Sequence, residues 1–171
     1  MKGCSLVILG LDPGSRYLGW GVVELHETGE VLSKGFGTVT LASKWSLAKK
    51  LAAIFEHLHI LQQTYRPDAM SLEQAFFGKN AHSAFILGQV RGVCLCFAGI
   101  HGLALCEYAP RKVKKHITGS GAANKEQVLL VIERLLGVDL AGEFDAADAV
   151  ALAVTHAHHV PLSSLGSDFA L

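Results

Sequence analysis

Seven residues near the amino terminus, Ser-Leu-Val-Ile-Leu-Gly-Leu at 5–11, make a short, largely apolar run that stops at Asp12-Pro13-Gly14. Such a run bounded by a turn reads as a buried central strand. Two further strands are expected at about 17–25 and 31–40, joined by a polar turn containing Gly29. From Trp45 to Tyr65 the period changes: Leu47, Leu51, Ile54, Leu58 and Leu61 recur in steps of three and four, the stripe of an amphipathic helix. Arg66-Pro67-Asp68 ends it, and 69–73 reads as a short strand returning parallel to the first after a helical crossover. A second helix is expected at 81–100, with Ile86, Val90, Val93, Phe97 and Ile100 on one stripe and Leu87, Cys94 and Ala98 on another. Two apolar stripes need two partners, one the sheet and the other a neighbouring helix or a second copy of the chain. A strand at 103–109, a basic helical turn at 110–117, a Gly-rich loop at 118–123 and helices at 124–136 and 145–158 complete an α/β pattern. Neither an internal repeat nor a linker is evident, so 1–160 reads as one domain and 161–171 as a loose tail.

Composition agrees with a packed core: half of the 171 residues are apolar and 18% are charged, which excludes disorder and low-complexity architectures. The most apolar stretch, 92–106, is interrupted at His101-Gly102 and falls short of the ~20 residues of a membrane span. The first residues lead straight into a strand without a small-residue cleavage site, so no signal peptide is read and a cytoplasmic location, away from membranes, is expected. Cys4, Cys94, Cys96 and Cys106 lie in apolar surroundings and are expected as buried reduced thiols.

Formal net charge is zero, but its distribution is uneven. Between residues 74 and 125, Lys79, Arg91, Arg111, Lys112, Lys114, Lys115 and Lys125 face Glu107 alone. The remainder of the chain is correspondingly acidic. A basic middle beside an acidic remainder suits a phosphate-binding surface next to metal-binding carboxylates, although a solvated charge run reads the same way.

Four acids stand where the chain is otherwise apolar or turning: Asp12 and Glu73 at the ends of two strands expected to be neighbours, and Asp145 and Asp148 three apart on one helix face. Taken singly each has an ordinary explanation: a turn residue for Asp12, a helix N-cap for Asp145, a Lys79 ion pair for Glu73. Taken together they converge if the helix end packs beside the strand ends. Converging carboxylates repel one another unless cations neutralise them, and an all-oxygen donor set favours Mg²⁺ or Mn²⁺ over Zn²⁺. Two such ions suit metal-assisted phosphoryl transfer. His156, His158 and His159 are poorly spaced for a metal, with His156 placed two turns beyond Asp148 on a similar face.

The stretches Gly10-Leu-Asp-Pro-Gly-Ser-Arg16 with Gly19 and Gly21, Leu72-Glu-Gln-Ala-Phe-Phe-Gly-Lys-Asn80, Leu87-Gly-Gln-Val-Arg-Gly92 and Asp145-Ala-Ala-Asp-Ala149 closely resemble the RuvC family of bacterial Holliday-junction resolvases, within the RNase H-like superfamily. The resemblance covers about residues 5–158. It implies a five-stranded mixed RNase H-like sheet with helices on both faces. By similarity, Asp12, Glu73, Asp145 and Asp148 are the catalytic acids that bind two Mg²⁺, for which Mn²⁺ can substitute. Phe76 is the aromatic that stacks on bases at the opened crossover. Lys114 and Lys125 match basic residues near the scissile phosphate, and Lys79, Arg111 and Lys115 are added as candidate DNA contacts. The resemblance further implies a homodimer making symmetric paired nicks with 5′-phosphate and 3′-hydroxyl ends, and a branch-migration complex of the RuvA and RuvB type as partner. A related nuclease acting on RNA–DNA hybrids or other branched DNA, or a non-cleaving junction-binding module, are the alternatives. Actin-like or sugar-kinase-like nucleotide binding needs two lobes, which 171 residues do not supply.

Overall fold

A computed structural model describes residues 5–74 and 81–165. Its five-stranded sheet has the order β3-β2-β1-β4-β5, with β1 Ser5–Pro13, β2 Tyr17–His26, β3 Val31–Thr40, β4 Ala69–Glu73 and β5 Ala104–Tyr108. Strands β1, β2 and β3 form an antiparallel meander, whereas β4 pairs parallel to β1 and β5 parallel to β4. The mixed sheet and the parallel return at 69–73 are therefore as expected. Strand β1 continues through Asp12 to Pro13, because Gly14 N–H donates to Tyr17 C=O at 2.9 Å and draws the hairpin tight.

Helices cover both faces. Helix α1 (Leu47–Tyr65) and helix α2 (Ala81–His101) lie on one, and α3 (Pro110–Thr118), α4 (Lys125–Leu136) and α5 (Phe144–His159) on the other. Helix α1 starts at Leu47 and not at Trp45, since the Ser46 side chain accepts from Lys49 N–H at 3.3 Å as an N-cap. It buries Ile54, Leu58 and Leu61, with Leu47 and Leu51 half-buried. Pro161 is followed by a short 3₁₀ turn over Leu162–Ser164.

The α5 layer packs backbone close to backbone. From Ala146 to Ala157 every residue except Asp148 is buried, a result of six alanines in that helix. Across from them stand Gly10, Gly19 and Gly21. A Cβ at Gly10 would land on the Ala149 carbonyl, one at Gly19 on the Asp145 carbonyl, and one at Gly21 on the Val150 side chain. Small residues on both sides bring helix and sheet backbones into direct contact, which fixes where the first turn of α5 sits. Buried Ser71 adds a cross-link, its hydroxyl donating to the Leu152 carbonyl at 3.0 Å.

Helix α2 departs from the expected stripes. Its buried face is Val90, Cys94, Phe97 and Ala98 with Arg91, while Phe85 and Ile100 are 66% and 64% exposed on the opposite side beside Gly88, Gly92 and Gly99. The periodicity was split between two stripes, whereas the helix buries one. Cys96 is exposed and Cys106 half-buried, so burial of the thiols holds only for Cys94 among the described residues. At 21 residues and mean hydropathy 1.6, α2 also satisfies the length and composition of a membrane span, contrary to the reading of 92–106. Its packing runs otherwise: Arg91 is buried and ion-paired, and the Val90–Phe97 face is part of the core beneath the sheet.

Candidate active site

Strand alternation aims the first acids. In β1, Ile8, Gly10 and Asp12 face α5, and in β4, Ala69, Ser71 and Glu73 do the same, since Gly10 meets Ala149 and Ser71 bonds Leu152. Parallel pairing sets Gly10 opposite Ser71 and Leu11 opposite Leu72, so Asp12 and Glu73 are adjacent at the carboxyl ends of neighbouring strands. Their side chains share a hydrogen bond. Asp145 and Asp148 lie in the first two turns of α5, held over this strand pair by the glycine contacts. Asp145 is within the helix and not its N-cap, which is Glu143.

Asp12, Glu73 and Asp148 line one cleft of about 220 Å³ with Lys114, Lys125, Pro110, Val113, Val128 and Leu152. Asp145 stands at its edge, reached by Lys125: the Nζ is 3.7 Å from Asp145 Oδ1 and 3.3 Å from Asp148 Oδ2. Burial, followed by the charges of Glu73, Asp148 and Asp145, pushes the Asp12 carboxyl up to about 8. Burial also raises Glu73, reinforced by Asp148, and raises Asp148 against the opposing pull of Lys125. Lys125 loses ground to desolvation but is lifted overall by Asp148, Asp145 and Asp12. Burial and the crowding of acids together favour a proton shared within the Asp12–Glu73 pair over two bare carboxylates.

The donor set suits hard divalent cations. All four candidate ligands are carboxylates, and Lys125, with Lys114 beside it in the cleft lining, is too little positive charge to balance them. As the side chains stand, Lys125 takes up Asp145 and Asp148 while Asp12 and Glu73 engage each other. Among the described residues no three acids or imidazoles therefore close on one point.

Of the candidate DNA contacts, Lys114 and Lys125 reach the cleft. Arg111 and Lys115 are exposed on α3 outside its lining, and Phe76 and Lys79 lie outside the described residues. The carboxylate–Lys79 pair considered for Glu73 falls outside them as well.

Beneath the site, Arg91 donates to the Glu73 carbonyl and to the Glu107 carboxylate, tying the end of β4 to β5. Sequence reasoning had counted it only as charge. Its one signal was an arginine placed inside an otherwise apolar helix, a position that demands buried partners. His156 sits outside the cleft lining: it is buried, and its Nδ1 meets the Tyr108 hydroxyl at 2.9 Å. His158 Nδ1 lies 2.9 Å from His116 Nε2 on α3, a hydrogen-bonded pair.

Comparison with known proteins decides the family. The family model for "Crossover junction endodeoxyribonuclease RuvC" matches residues 8–156. The chain belongs to the RuvC family. It is 43% identical over 157 residues to crossover junction endodeoxyribonuclease RuvC of Chromohalobacter salexigens, covering 92% of this chain and 83% of that one. Among solved structures, Thermus thermophilus RuvC in complex with a Holliday junction substrate superposes with a TM-score of 0.82 at 30% identity, covering 90% of this chain and 94% of the other. The yeast mitochondrial Holliday junction resolvase shares the fold, with a TM-score of 0.66 at 14% identity, 92% of this chain and 79% of that one being covered. Membership in the RuvC family accounts for the mixed five-stranded sheet and places all four acids within the matched span.

Proposed function

We propose that this protein is a metal-dependent endonuclease that resolves four-way DNA junctions by paired nicks, using Asp12, Glu73, Asp145 and Asp148 as its metal-binding acids. The observation that carries the reading is geometric: Asp12, Glu73 and Asp148 line one cleft with Asp145 at its edge, and burial, then the neighbouring acids, pushes Asp12 up to about 8, a grouping that divalent cations relieve. Two Mg²⁺, or Mn²⁺ in their stead, would supply Lewis-acid stabilisation of the phosphoryl oxygens and an acidified water. The chain's own part is to hold the acids on two strand ends and a helix pinned by glycines, and to offer Lys114 and Lys125 to the phosphate. Non-polar Val113, Val128 and Leu152 wall the cleft and lower the local dielectric, which strengthens those charge contacts. Phe76 would stack on a base at the crossover, with Lys79, Arg111 and Lys115 gripping backbone further out. A second copy of the chain would dock on the exposed face of α2, giving two sites for two symmetric cuts that leave 5′-phosphate and 3′-hydroxyl ends. Delivery by a RuvA and RuvB type complex in the cytoplasm goes with this reading.

The test is cleavage of a mobile four-way junction, a linear duplex and an RNA–DNA hybrid by purified protein with Mg²⁺. Junction-selective, symmetric nicking is expected, and Asp12→Asn is expected to slow it by 10²–10³-fold or more, on the order seen when a group stabilising transition-state charge is removed. Junction binding persists in that variant, because Lys114 and Lys125 still line the cleft and the amide brings no negative charge toward the phosphate. Undiminished cutting by Asp12→Asn refutes the acid site, and preferential cutting of the hybrid refutes the substrate.

A further inference from the structure

The basic segment 74–125 is only one of two positive regions that the fold brings to the acids. Strands β1, β3, β4 and β5 all run the same way, so their carboxyl ends share one edge of the sheet. On that edge the acid-bearing β1 and β4 are central; β5 leads into the basic α3 on one side, and β3 leads into residues 41–50 on the other. Those residues hold Lys44, Lys49 and Lys50, with no acid between Leu41 and Phe55. The β1–β2 turn adds Arg16, tied to this flank by Leu41 N–H donating to the Arg16 carbonyl at 2.8 Å.

A cleft of about 350 Å³ opens here, lined by Ser15, Arg16, Ser43, Trp45, Leu47, Lys50 and Ile86. Two cations are held in place, one in the cleft and one beside it: Lys50 Nζ donates to the Ser15 carbonyl at 3.2 Å, and Lys49 Nζ lies 4.9 Å from the centre of the ring of Trp45, which lines the cleft. Neither contact neutralises a charge. Among the described residues no carboxylate pairs with Arg16, Lys44, Lys49 or Lys50, whereas Lys34 and Arg91 each have one and Lys125 has two. Three hydroxyl or guanidinium-bearing side chains, a lysine and an indole around a concave, uncompensated positive surface fit the chemistry of a phosphodiester backbone.

The two clefts share a turn. Asp12 lines the first and Ser15 the second, and three Cα steps of 3.8 Å keep them within about 11 Å. That span equals about three phosphates of one strand, at roughly 3.4 Å of rise each. We propose that Arg16, Lys49 and Lys50 form a second backbone contact for DNA, gripping the duplex arm about three nucleotides from the phosphate seated at the acids, without regard to base sequence. This rests on the nuclease reading above and adds to it a footprint on the β3–α1 flank, opposite the α3–α4 lysines. Bracketing the acids with positive charge on both sides fixes the scissile strand across the cleft and makes its register independent of one lysine pair.

The experiment is junction binding by fluorescence anisotropy over a salt series, using the full chain, the combined variant Arg16→Gln, Lys49→Gln, Lys50→Gln, and a charge-preserving variant Arg16→Lys, Lys49→Arg, Lys50→Arg. Each phosphate contact contributes about 0.9 to the slope of log affinity against log salt. The glutamine variant should show a slope shallower by about 2 to 3, and the charge-preserving variant the slope of the parent. An unchanged slope in the glutamine variant overturns the second contact, as does an equal loss in both variants, which would mean that shape and not charge was disturbed. If the parent itself neither binds nor cuts a junction, the nuclease reading has failed, an outcome read before either variant is compared.

Discussion

The two faces of the sheet are packed by opposite means. On the α5 side, glycines meet alanines and the backbones touch; Gly10, Gly19 and Gly21 leave no space for even a methyl group. On the α1–α2 side, large side chains such as Leu58, Phe97 and Met70 fill a conventional core, and α2 keeps an outer face with Phe85 and Ile100 exposed and nothing within 4 Å of a Cβ at Gly88, Gly92 or Gly99. Close backbone contact fixes position; interdigitated side chains tolerate repacking. The acids ride on the first kind of face, where a fraction of an ångström matters, and the second is where the proposed partner copy would dock.

Matched glycine substitutions give the sharpest contrast. Gly19→Ala drives a methyl into the Asp145 carbonyl and should destabilise the fold by about 3 kcal/mol while displacing the first turn of α5, so cutting falls further than the loss of folded protein explains. Gly88→Ala, on the open face of α2, should instead raise stability by up to about 1 kcal/mol, the difference in helix propensity. Urea melts and junction cutting of the two proteins side by side measure both. A benign Gly19→Ala would mean that α5 floats and the acids are placed by something else.

That contrast also explains what could be read from the chain. Strands, helices and the four acids were legible because each leaves a local mark: a period, a turn, or a charge in apolar surroundings. Helix α1 appeared within two residues of its observed start, and the parallel return of β4 followed from the length of the crossover. The partner of each face was not legible, because periodicity names a buried side without naming what buries it. Gly10, Gly19 and Gly21 entered as motif letters, and only contact with α5 reveals them as spacers. Arg91 looked like surface charge until its two partners, 18 and 16 residues away, met it under β4. Arg16, Lys49 and Lys50 escaped a charge count made over one contiguous window, since β2 and β3 separate the turn from the helix in sequence but not in space.

The tight face carries a second, smaller effect through His156. Burial first, and His159 next, push this imidazole down to about 4, and it is neutral against the Tyr108 hydroxyl. A histidine whose pKa is lower in the folded state than its ordinary 6.5 takes up a proton on unfolding, so its share of stability is complete above pH 6.5 and fades as pH falls toward 4. By pH 5 the protein should have lost about 2 kcal/mol through this group alone. His156→Gln should flatten that portion of the stability profile, whatever it costs at pH 7. Chemical denaturation at pH 7 and pH 5 gives the difference of differences, and a parent-like pH dependence in the variant would show that the acid sensitivity arises elsewhere.

The smallest effect on stability is expected on the open face, and there its smallness is the point. Phe85 and Ile100 are about two-thirds exposed in the single chain, so replacing both with polar residues removes little buried area and should leave the melting of the isolated chain within about 0.5 kcal/mol. If a second copy covers that face, the same Phe85→Ser, Ile100→Ser protein should sediment as a monomer at concentrations where the parent is a dimer, because an interface core built on two large apolar anchors flanked by glycines loses both at once. Cutting would then change in kind: the acids stay intact, so single nicks continue, but the two cuts in a junction lose their coordination and nicked intermediates accumulate. A stability loss of several kcal/mol in the dilute monomer would place these side chains inside the core after all and erase the distinction between the two faces. A dimer that persists with both residues polar would leave that distinction standing but move the partner's seat to another surface.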